Sequence, residues 1–140
     1  MSINPLPPKR ETKPDEAAIR AAFEAEWARC EAWISSALDL SGGTHSIEDV
    51  KAAVESGEAR LWGWDRSAVV TEVQTWPRAK FLLIWLAGGD LKELRDVMLP
   101  LMEEYGREQG CSRSYVVGRP GWAKALPGYR TVAVSIAKEL

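Results

Sequence analysis

The sequence predicts one α+β domain in three layers, with a mixed central sheet of about five to six strands and helices on both faces. Three observations predict it. Residues 15–38 repeat apolar side chains at three- and four-residue spacing, the period of a helix face. Phe81 to Leu86 is an unbroken apolar run, the mark of a central strand covered on both sides. Residues 80–119 then read as strand, glycine turn, long amphipathic helix and strand. That unit lays two parallel strands in one sheet with the helix packed across them.

With 140 residues the chain has the length of one domain and can bury a sizeable core. A formal charge of −2 gives no bulk electrostatic reason to expect nucleic acid or an anionic membrane as partner. Two cysteines, Cys30 and Cys111, are too few for a disulfide framework. The single histidine, His45, has no close cysteine, so no metal site is expected. The polar N-terminus lacks an apolar signal core and no segment reaches spanning length, so a cytoplasmic setting with free thiols is expected. Seven tryptophans are many for this length. They serve as core and rim side chains, or some of them face a partner.

Residues 1–14 carry four prolines and read as an arm outside the domain of residues 15–140, either loose or docked on a partner. Asp15 opens the first helix after Pro14, and Ile19, Phe23, Trp27, Cys30, Ile34 and Leu38 form its apolar face. Residues 41–43 end it. Ser46 and Asp49 have capping-box spacing at the start of a second helix, with the aspartate shorter than the usual glutamate. Val50, Ala53 and Val54 continue its apolar face, and Gly57 is a left-handed stop. Residues 59–64 and 68–75 read as a hairpin around Asp65 and Arg66. Residues 80–86 form the third strand, and Ala87 to Asp90 the glycine turn after it. The long helix, residues 90–109, has a stripe of Leu91, Leu94, Val97, Met98, Leu101, Met102 and Tyr105. Pro100 inside it should bend it, and Gly110 caps its end. Residues 113–118 make a fourth strand, residues 120–125 a turn or short helix, and residues 131–136 a closing strand.

This order resembles the GCN5-related N-acetyltransferase superfamily over residues 16–138. Within it the chain is most similar to small proteins encoded by phages and prophages. The residues that carry the likeness are 57–62, 71–73, Pro77 with Arg78, 86–89, Gly110 with Cys111, and 118–122. The resemblance implies an acyl-CoA N-acyltransferase fold, with acetyl-CoA held by backbone N–H groups between the central strand and the long helix. Consecutive N–H groups at a helix start form an anion nest. Here the matching positions are Leu86, Ala87, Gly88, Gly89 and Leu91. The basic residue and spacing of the usual motif are missing, and Asp90 would repel a pyrophosphate or cap the helix.

The thiolate-protonating tyrosine that many members carry after the fourth strand is also missing, and Tyr129 matches the family's core aromatic. Glu72 is the candidate general base if buried, since burial raises a carboxylate's pKa; on an exposed face it is a solvated charge. Arg119 with Trp122 offers an anion-binding or stacking pair, or a structural one. Cys111 lacks an activating histidine. Two functions follow. One is a non-catalytic virion structural, assembly or interaction protein with a protein partner, in the host cytoplasm or virion. The other is an active N-acetyltransferase that uses acetyl-CoA to modify an amine.

Overall fold

The computed structural model describes residues 15–119 and 121–140. The proline-rich arm expected at residues 1–14 lies outside the described residues. Asp15 caps helix α1 (Glu16–Leu38), its carboxylate accepting from the Ala17 N–H at 3.1 Å. The buried face of α1 is Trp27, Cys30, Ile34 and Leu38, with Phe23 packed beside it. Ile19, expected on this face, is half exposed, so the core begins a turn later.

Helix α2 (Ile47–Ser56) opens with both arms of the capping box closed. The Ser46 hydroxyl accepts from the Asp49 N–H at 3.2 Å, and the Asp49 carboxylate accepts from the Ser46 N–H at 2.8 Å. The hydrogen bond from the Ser46 N–H to the ionised carboxylate is the main cause that holds the Asp49 pKa below its ordinary value. Gly57 ends α2 at φ 83°, the left-handed conformation that glycine adopts without a Cβ clash.

The sheet has four strands in the order β1-β2-β3-β4: β1 (Arg60–Gly63), β2 (Ser67–Trp76), β3 (Ala79–Gly89) and β4 (Arg113–Val116). β1, β2 and β3 are antiparallel, and β4 lies parallel to β3 from Phe81↔Arg113 to Ile84↔Val116. The strand count among the described residues is therefore four, not the five to six expected. The missing one is the closing strand at residues 131–136, which keeps its alternating pattern but has no regular structure and is exposed throughout. Among the described residues no hydrogen bond ties it to a neighbouring strand.

A bulge lets β3 serve both faces. Val70 pairs with Leu86 and Thr71 with Ile84, so Trp85 is an extra residue. Leu82 and Ile84 pack with Val69 on one face, whereas Leu86 is turned to the other, against Ala68, Val70, Cys30 and Ile34. The apolar run thus belongs to a strand covered on both sides, as expected.

Gly88 and Gly89 are not a turn but the end of β3, paired with Ala68 and Ser67. A Cβ on Gly88 would strike the Trp33 carbonyl of α1. One on Gly89, at φ 116°, would strike the Arg66 carbonyl. Glycine is required there because backbone meets backbone.

The long helix is interrupted. It runs as α3 (Leu91–Glu93), a π turn (Leu94–Met98) and α4 (Leu99–Glu108). The Leu99 N–H donates to the Leu94 carbonyl, five residues back. Pro100 has no N–H to donate and its ring crowds the carbonyl four residues earlier, so the widened turn just before it relieves a clash that a regular helix would keep. The extra residue rotates the buried stripe. Leu94, Met98, Leu99 and Met102 are buried, while Leu91, Val97 and Leu101, expected in the stripe, stand exposed. Short helix α5 (Trp122–Ala125) follows β4, and Leu126 re-enters the core under α4. No helix among the described residues is long and apolar enough to cross a membrane.

Ile84 is 3% exposed, so Ile84→Ala should lower stability by about 2–5 kcal/mol in urea unfolding. Gly88→Ala should also shift the urea midpoint down, because backbone must move to admit one methyl group. Gly121→Ala, where a Cβ meets nothing, is the matched control and should leave the midpoint near wild type.

Candidate functional site

β3 and β4 part company above Ile84. The Val117 N–H still donates to the Ile84 carbonyl at 3.1 Å, but β3 continues to Gly89 while β4 has ended. The crevice between them holds a cavity of about 20 Å³ walled by Ile84 and Ala87 of β3, Val116 of β4, Met102 of α4, and Trp122 and Leu126. No side chain in its wall is titratable.

The helix N-terminus beside β3 is filled by the chain's own carboxylates. The Asp90 side chain accepts from the Glu93 N–H at 2.9 Å, which is the capping role weighed for it. Glu93 is 6% exposed, and its Oε1 accepts from the Arg66 N–H and the Ser67 hydroxyl, each at 2.8 Å. The Arg66 guanidinium lies 3.7 Å from Asp90 and 3.8 Å from Glu93. Two carboxylates against one guanidinium make this end of the helix unfavourable for a pyrophosphate. Sequence reasoning missed Ser67 and Glu93. The only signal was an acid three residues after Asp90, and nothing local shows that it is buried under the β1–β2 turn.

The five positions matched to the acetyl-CoA nest are dispersed. Leu86 is buried against α1, Ala87 lines the crevice, Gly88 and Gly89 are closed off by Trp33 and Arg66, and Leu91 is half exposed. Glu72 alternates with Ala68 and Val70, so it belongs to the α1 face of the sheet, away from the crevice, where it accepts from the Gln74 amide at 3.1 Å. Arg119 and Trp122 share a turn, the Trp122 N–H donating to the Arg119 carbonyl at 3.0 Å. Their side chains do not stack. Among the described residues the guanidinium groups over aromatic rings are those of Arg20, Arg29 and Arg60.

Tyr129 is held in place rather than poised for proton transfer. Its hydroxyl donates to Glu103 at 2.9 Å or Ser114 at 2.8 Å, and burial pushes its pKa up to about 12. Burial likewise pushes the Cys30 thiol, packed under α1, up to about 11. Cys111 is half buried beside a second cavity of about 170 Å³ at the opposite end of β4, walled by Leu82, Gly106, Arg107 and Ser114.

The architecture defines the class: an α+β domain in which an antiparallel meander is extended by one parallel strand through a helical crossover. No known family model matches the chain, and no curated protein sequence does. Solved structures do share the fold. TTHA1254 of Thermus thermophilus superposes with a TM-score of 0.55 at 14% identity, over 84% of this chain and 92% of that one. A tetramutant of BH1408 from Bacillus halodurans gives 0.54 at 12% identity, over 87% and 89%. An acetyltransferase of Trypanosoma brucei aligns less well, at 0.45 and 17% identity over 79% and 94%, below the level that shows a shared fold.

Glu93→Ala should orphan the Arg66 N–H and leave the Ser67 hydroxyl only its long contact with the Asp90 carbonyl, at 3.4 Å, and so cost about 1–3 kcal/mol. Glu93→Gln keeps an acceptor oxygen and should cost less. Urea unfolding of the two variants compares them directly.

Proposed function

We propose that this chain is a non-catalytic, acyltransferase-like protein that works by binding another protein. The observation that carries the reading is the filled helix N-terminus. Asp90 and Glu93 supply negative charge where acyl-CoA would need donors, and Gly88 and Gly89 are already used by the fold. A fold retained without its chemistry is a scaffold, and function then resides on its surface. Trp76, 63% exposed, begins an aromatic chain through Phe81, at 5.3 Å, to Tyr115, at 4.7 Å, which suits a partly buried protein contact. The resemblance to phage and prophage proteins supplies the finer proposal. The partner is a virion or host protein, met in the host cytoplasm or in the assembled particle.

One feature favours the alternative, an active N-acetyltransferase. The crevice between β3 and β4 is apolar, with Ala87 in its wall; its cavity of about 20 Å³ would have to widen for a pantetheine arm to lie there, with acetyl-CoA as cofactor and the thioester presented to an amine. Positioning and backbone donors would then supply most of the rate. Gly89→Pro is no clean test of it, because φ 116° at this position is closed to proline and the fold itself would suffer.

Calorimetric titration with acetyl-CoA and with coenzyme A separates the two. The proposed function expects no heat of binding at millimolar ligand. Binding in the micromolar range, about −8 kcal/mol, would overturn it and establish the cofactor site.

A further inference from the structure

We infer that two copies of this chain associate by exchanging their C-terminal segments, residues 131–136 of each pairing with the β4 edge of the other. The inference is independent of the catalytic question.

The segment is built as a strand. Val132, Val134 and Ile136 alternate with Thr131, Ala133 and Ser135, and β-branched residues favour extended, half-buried backbone. Yet Val132 is 62% exposed, Val134 81% and Ile136 93%. Among the described residues, no hydrogen bond joins residues 130–140 to the rest of the domain. The chain is anchored just before it departs. Leu126 is in the core, and the Tyr129 hydroxyl is tied to Ser114 of β4 and Glu103 of α4. The segment therefore leaves from beside β4.

β4 is what such a strand requires. It pairs with β3 on one side, and no described strand lies on the other. An unpaired edge is a template for another strand. Beside it lies the cavity of about 170 Å³, whose wall combines Leu82, Gly106 and Cys111 with the polar Glu103, Arg107 and Arg113 and has room for a side chain from an added strand. Each copy thus carries one unmatched strand and, of the two sheet edges β1 and β4, the one beside which that strand leaves is unmatched. A two-fold exchange pairs the segment with a β4 edge in both copies and closes the assembly at two chains, which is the logic of a domain swap. A partner of different sequence would cover one defect and leave the other.

Sedimentation equilibrium of the full chain tests this, with Val134→Pro alongside. Proline removes an N–H that a ladder needs, at a position with no core contact in the single chain. The full chain should have twice the 15.5 kDa chain mass, and Val134→Pro should be monomeric with an unchanged helical circular dichroism spectrum. Amide exchange at residues 131–136 should be slow in the dimer and fast in the variant. Val134→Asp serves as a second variant if the proline form does not fold. A monomeric full chain would overturn the inference, with slow exchange in that monomer showing the strand closed on its own β4. A dimer that persists in both variants would overturn it too, since another surface would then hold the copies together.

Discussion

Everything in this domain hangs on one strand that must be buried on both faces. β3 reaches both apolar clusters with large side chains of its own, Leu86 on the α1 side and Leu82 with Ile84 on the α4 side. A regular strand would have sent all three to the same face. The extra residue at Trp85 breaks that alternation, so one short stretch of sequence feeds two cores. The helices are laid down around this strand. α1 comes close enough for its Trp33 carbonyl to sit on Gly88, and α4 packs its Gly106 against Leu82.

The same close fit shapes what the crevice between β3 and β4 can do. A nest for a phosphate group needs bare N–H groups at a helix start and room for the ligand to approach them. Here the helix start is stitched to the β1–β2 turn through Glu93, Ser67 and Arg66, and the approach is taken by backbone. The Glu93 N–H, a helix-start donor that an anion would need, is taken by Asp90, and the Asp90 and Glu93 carboxylates that hold the junction would repel an anion, so stability here is gained against anion affinity. That competition underlies the proposal of a binding protein rather than an enzyme. The structural neighbours above a TM-score of 0.5 speak to fold alone.

What could be read from the sequence divides by the range of the interaction. The Ser46–Asp49 box, the Gly57 stop and the Asp90 cap are contacts within a few residues, and residue type and spacing sufficed to foresee them. The role of Gly88 was not legible, because its reason is a carbonyl on α1 more than fifty positions away in the chain; locally, two glycines before an aspartate look like a turn. Pro100 announced a disturbance in the long helix. Whether that disturbance would be a kink or a widened turn depended on which stripe the sheet beneath could bury, and so Leu91, Val97 and Leu101 were placed on the wrong side. The segment 131–136 keeps a strand's alternation, yet its place in a sheet could not follow from alternation alone, since a strand needs an edge and the pattern does not say whose. For the candidate site, Ala87 and Trp122 do meet at the crevice, whereas Glu72 was judged by position along β2 and its face is set by alternation with Ala68 and Val70.

Cys30 gives the molecule a use that none of its neighbours would. The thiol lies wholly inside the α1 cluster and its ionisation is suppressed by burial, so an alkylating reagent reaches it only when α1 lifts from the sheet. Cys111, half buried at the far end of β4, offers a second thiol outside that cluster for comparison. The rate at which Cys30 is capped is therefore a built-in clock for opening of the α1 layer, read by mass spectrometry with no label introduced.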